Sequence, residues 1–196
     1  MASLQTRVVN MLKSPATEWP VIAAEPTDVG KLYREYIMIL SAIPAIATFI
    51  GYSLIGVSMP FTGMYRRPMV DGISLMIVSY VMGLVGVYVC AVVIEWLAPK
   101  FNSSGSRVDA LKLVAYASTP VWLAGALNVL PLLAVLSLLA ALYAIYLFYL
   151  GLPVLMKTPA DQVVVFMIVA AIVIFIVGLI MGAISTALTV GSAVLT

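Results

Sequence analysis

The sequence predicts an all-α polytopic membrane protein, a bundle of five transmembrane helices preceded by a short amphipathic N-terminal segment. Three observations carry this reading. Hydrophobic residues make up 64% of the 196-residue chain and charged residues only 9%. The apolar residues gather in five runs, Tyr36–Met59, Gly72–Ala98, Ala110–Leu127, Pro131–Met156 and Val163–Leu188. Each run approaches or exceeds the ~20 residues that cross ~30 Å of hydrocarbon at ~1.5 Å per residue. Finally, between Tyr36 and Leu188 almost every charge falls in a loop or at the end of a run.

The elements follow in order. Leu4, Val8, Met11 and Leu12 recur at helical spacing, with Arg7, Asn10 and Lys13 on other faces. This is the pattern of an amphipathic helix lying on a membrane surface. Ser14–Pro15 ends it, and Met1–Ser14 lacks the apolar core and cleavage site of a secretory signal. Trp19 suits a membrane interface, and Glu25–Pro26–Thr27–Asp28 reads as a helix start, with Pro26 in the first turn and Asp28 at the positive helix end. Residues 1–34 thus form a cytoplasmic or interfacial segment and 35–189 the transmembrane domain. Residues 190–196 are a short external tail. Pro60–Asp71 links the first two spans, Pro99–Arg107 the next two, Asn128–Pro131 makes a tight turn, and Pro153–Asp161 precedes the last span.

Charge orients the chain. With the N-terminus inside, Arg7, Lys13, Lys31, Arg34, Lys100, Arg107, Lys112 and Lys157 are cytoplasmic, and only Arg66 and Arg67 lie outside. The C-terminus then lies outside, and the chain is expected to be integral to the cell membrane. A net charge of +2 is far from the basic density that nucleic-acid binding needs. The chain has no histidine and one cysteine, Cys90, so neither a disulfide framework nor a metal site is expected, and no cofactor. No segment outside the spans is long enough to fold a catalytic domain.

Several short segments resemble the bacterial branch of the Ypt/Rab-interacting protein (Yip) family. They are Trp19 with Glu25–Pro26, Trp96–Leu97–Ala98–Pro99–Lys100–Phe101, Ala115–Tyr116–Ala117–Ser118–Thr119–Pro120, and Tyr149–Leu150–Gly151–Leu152–Pro153. Their order along five spans fits as well. The resemblance implies five helices, a cytoplasmic N-terminus and, for eukaryotic members, binding of prenylated Rab GTPases. Those members carry an Asp-Leu-Tyr-Gly-Pro signature before the spans; Lys31–Leu32–Tyr33–Arg34 stands nearest to it here.

Candidate functional residues form three groups. Intramembrane ionisable groups are costly and often functional, and Glu95 is the deepest. It lies within reach of Lys100, Arg107 and Lys112, which makes a polar cluster at the cytoplasmic rim, either an interfacial ion pair pinning spans two and three or a gate. Ser118–Thr119–Pro120 predicts a kink in span three, because proline removes a helix hydrogen bond and a neighbouring hydroxyl can satisfy the freed carbonyl. Tyr143, roughly 15 Å deep in span four, needs a buried partner, with Tyr116 or Ser118 as candidates. The third group, Gly178, Gly182 and Thr186, is a small-residue face suited to helix packing within the bundle or between two copies.

Two function classes stay open. A non-enzymatic membrane organiser or adaptor has the lipid bilayer and other membrane proteins as partners. The alternative is an uncoupled transporter, channel or lipid-handling protein with a cavity near the kinked third span. No residue pair offers the acid, base or nucleophile of an enzyme.

Overall fold

In the computed structural model, residues 3–59 and 63–194 are described. The protein is an all-α polytopic membrane protein whose five spans are α3 (Val29–Ile55), α4 (Met69–Phe101), α5 (Arg107–Val129), α6 (Ser137–Leu155) and α7 (Val163–Val194). Two short helices precede them, α1 (Leu4–Lys13) and α2 (Pro15–Ala24). Ser3 caps α1 by accepting the Thr6 N–H, and Asp28 caps α3 by accepting the Lys31 N–H at 2.9 Å. Ser106 and Asp109 form a reciprocal capping box at the start of α5.

The third span is the centre of the bundle. In its most apolar stretch 61% of residues are buried, against 11–39% in the other four spans. It packs on α4 and α6, while α4 also touches α3 and α7. The contact of α3 with α5 is close at two glycines. A Cβ at Gly125 would stand 2.5 Å from Pro44 Cβ, and one at Gly51 only 2.1 Å from the Asn128 carbonyl oxygen. The outward faces of the bundle expose leucine, isoleucine, valine and phenylalanine, as a lipid-facing surface does.

Two features depart from the sequence reading. The link after α3 contains a small antiparallel ribbon, β1 (Val57–Met59) and β2 (Gly63–Tyr65), in register Val57↔Tyr65. Gly56, at φ +89°, makes the turn out of α3 into it. Pro60, which begins the expected loop, and Leu195 and Thr196 of the expected tail lie outside the described residues. The larger departure is at the N-terminus. Rather than lying apart as a surface helix, α1 packs with α2 against the bundle, with α2 on α6 and α1 on the middle of α5. Met11 and Trp19 are fully buried.

Candidate functional site

The most unusual chemistry sits where α1 and α2 meet the bundle. Arg7 is 3% exposed, and its guanidinium forms ion pairs with Glu18 and with Glu25. Asn10 donates to the other Glu18 oxygen at 2.9 Å. Below them, Lys112 Nζ donates to the Ile22 and Glu25 carbonyl oxygens, each at 2.8 Å. A cation thus caps the last turn of α2, where unpaired carbonyls and the negative helix end favour one. Two cations and two carboxylates make the cluster neutral, which is the condition under which buried charge is tolerated.

Beneath the charges lies a run of aromatic rings. Arg7 sits 5.7 Å from the centroid of Tyr116. Tyr116 meets Trp19 edge-on at 6.4 Å and Tyr36 at 4.6 Å, and Tyr36 in turn lies 6.4 Å from Trp122. Gly151 on α6 leaves the room that the Trp19 indole occupies.

The kink in α5 follows from its residues. The α-helix ends at Ala117 and restarts at Thr119. Pro120 has no N–H to offer the Tyr116 carbonyl, and Thr119 Oγ1 donates to that oxygen at 2.7 Å instead. The same hydroxyl shares a 2.6 Å hydrogen bond with Tyr36. Ser118 Oγ donates back to the Val114 carbonyl at 2.7 Å.

The residues singled out in the sequence separate. At the rim, Arg107 Nε meets Glu95 at 2.6 Å and its Nη1 donates to the Tyr88 hydroxyl at 3.1 Å. Lys100 lies over the Trp96 ring at 3.7 Å, and Lys112 turns inward to α2. Tyr116, Ser118 and Pro120 share the kink, but Tyr143 does not join them: its hydroxyl donates to the Leu12 carbonyl at 2.9 Å. The turn between α1 and α2 therefore sits level with a point roughly 18 Å along α6 from its Leu155 end. Among the described residues, no atom beyond the neighbouring backbone of α7 lies within 4 Å of where a Cβ would stand on Gly178 or Gly182. That face looks out of the bundle, and the Thr186 side chain lies outside the described residues.

Sequence reasoning puts Arg7 on a polar face and reads Glu25 only as part of a helix start, with Glu18 unremarked. A signal was available. Arg7 stands at i+3 from Leu4 and i−4 from Met11, inside the apolar stripe, and Glu18 shares a stripe with Pro15 and Ile22. A charge within an apolar stripe needs a buried partner, and the next helix supplies two.

A second feature is a cavity of about 670 Å³ beside the kink, opening between α6 and α7. Val114, Ala117, Ser118, Tyr146, Met167 and Ile174 line it, together with Cys90. Its walls are almost wholly apolar.

The chain matches the Yip1 domain family over residues 9–182. It is 28% identical over 127 residues to "Inner membrane protein YohC" of Escherichia coli strain K12, and equally to the protein of that name in strain CFT073. The match covers 65% of this chain and 65% of each relative's length. No solved structure matches. The matched residues run from within α1 into the fifth span, taking in α2 and the kinked third span, and the chain belongs to the Yip1 domain family.

Proposed function

We propose that this protein is a non-enzymatic membrane organiser or adaptor, placed in the bilayer with its N-terminus cytoplasmic and its C-terminus outside. The observation that carries the reading is the clasp. Arg7, Glu18, Glu25 and Lys112 fasten α1 and α2 to the bundle, so the end bearing the N-terminus is a built, rigid face rather than a loose tail. Rigid faces suit partner recognition, because little ordering is left to accomplish on binding. The charge bias across the spans supports the orientation. The outward glycines Gly178 and Gly182 suit a second copy of the chain.

Cross-linking in native nanodiscs followed by pull-down tests the organiser reading. Wild-type protein should recover a stoichiometric membrane partner or a second copy, and Arg7→Gln should lose it. Recovery of the bare monomer in every lipid composition would count decisively against it. Cysteine labelling from either side of sealed vesicles checks the orientation.

One observation favours a second reading, a lipid-handling protein. The apolar cavity of about 670 Å³ lies against the kinked α5, at Val114, Ala117 and Ser118. Its lining suits an acyl chain better than a hydrated solute. Proteoliposomes should then scramble labelled phospholipid, and Ala117→Trp should suppress this. Rates equal to those of protein-free vesicles would end the idea.

A further inference from the structure

At the end of the bundle away from the N-terminus, a cavity of about 280 Å³ lies between α3 and α4. It far exceeds the about 10–15 Å³ that one water requires. Thr48, Tyr52, Ser53, Arg67 and Ser79 form its polar wall, and Phe49 is among its apolar lining. We propose that this cavity binds a phosphate-type anion, held by the Arg67 guanidinium and the Ser53 and Thr48 hydroxyls.

Two independent observations point to a ligand. Ser53 is 9% exposed, and its Oγ is buried with no hydrogen-bond partner among the described residues. Buried hydroxyls are normally satisfied, and one that is not calls for an explanation. The second observation is Arg67. Its backbone N–H is fixed to the Tyr52 carbonyl at 2.9 Å, which holds the residue at the cavity. Its guanidinium has no partner among the described residues. Neighbouring Arg66 differs, since its Nε donates to the Ile55 carbonyl at 3.2 Å.

The donor set has the right sign and geometry. A planar guanidinium presents paired N–H groups that match phosphate oxygens. Thr48 Oγ1 accepts from Asn128 Nδ2 at 3.2 Å, which leaves its own O–H to donate. No carboxylate is among the described lining residues, so nothing there opposes an anion. The cavity also explains a glycine. A Cβ at Gly72 would stand 2.1 Å from Ser53 Oγ and 3.1 Å from the Phe49 ring, so only glycine leaves the hydroxyl in place. Phosphate in this position can belong to a lipid headgroup or be free in solution. The site is independent of the organiser reading.

The full chain purified in detergent would be titrated with phosphatidylglycerol, with diacylglycerol of the same tails, and with inorganic phosphate, using native mass spectrometry and calorimetry. Phosphatidylglycerol or inorganic phosphate should bind, and diacylglycerol should not. Arg67→Gln should weaken binding about tenfold, Ser53→Ala about threefold, and Arg66→Gln should leave it unchanged. Binding of inorganic phosphate with the same variant pattern identifies a free anion as the ligand; binding of phosphatidylglycerol alone identifies a lipid headgroup. The proposal is overturned if neither phosphate probe binds, if diacylglycerol binds as tightly, or if the two arginine variants behave alike. Unchanged thermal unfolding of Ser53→Ala separates lost binding from lost folding.

Discussion

Gly151 on α6 and Trp19 on α2 stand so close that a Cβ on the glycine would lie 2.7 Å from the indole Cε2 and Cζ2. The indole is rigid and fully buried, and Leu113 Cδ1 closes the other side at 2.7 Å. The fused indole ring cannot step aside cheaply. Gly151→Ala should therefore destabilise the fold by about 1–3 kcal/mol through overpacking. Thermal unfolding in detergent reads the loss, and protease sensitivity should rise first in α1 and α2.

Arg7→Gln tests the clasp. Removing one partner of a buried pair leaves uncompensated charge on Glu18 and Glu25, a penalty of roughly 3–5 kcal/mol. Hydrogen exchange should show residues 4–24 opening while α4 and α7 keep their protection. A compensating double change, Arg7→Gln with Glu18→Gln, should recover part of the loss because it removes one buried charge of each sign. No recovery would mean that the ion pair is not what holds the helices.

The Thr119 hydroxyl serves both the Tyr116 carbonyl and the Tyr36 hydroxyl. Thr119→Val keeps the shape and deletes both bonds, so it should cost about 1–3 kcal/mol. Thr119→Ser keeps the hydroxyl and should stay near wild type. Equal melting temperatures for the valine and serine variants would show that the hydroxyl contributes nothing at the kink.

Glu95 and Arg107 give the contrasting case. Their side chains are 31% and 44% exposed, and exposed pairs, screened by water and salt, add little to stability. Glu95→Gln should shift stability by less than any variant above, and added salt should shrink the difference further. A loss as large as that of Arg7→Gln would assign Glu95 more than a pinning role.

Much of the local chemistry was legible along the chain. Asp28 at the start of α3 and the Ser118–Thr119–Pro120 kink follow from side chains within a few residues of the backbone groups they serve. Glu95 and Arg107 meet because a short turn joins their helices. Tyr143 was harder: its depth followed from helix rise, but its partner, the Leu12 carbonyl, comes from a segment that hydropathy assigns to the surface.

The sequence by itself determined the class and architecture of this protein. Apolar runs of bilayer length permit only helices, because every backbone polar group in lipid must be satisfied within its own segment. Tertiary structure alone decided where the N-terminal charges go. Arg7 and Glu18 read as solvated on an isolated helix, yet the bundle buries both. Their pairing spans the turn between α1 and α2, and Lys112 joins them from α5, far along the chain. The sequence shows only that a charge stands within each apolar stripe; which partners neutralise it depends on which helices touch. The Ser53–Arg67 cavity arises in the same way, from a glycine on α4 that lets two spans approach.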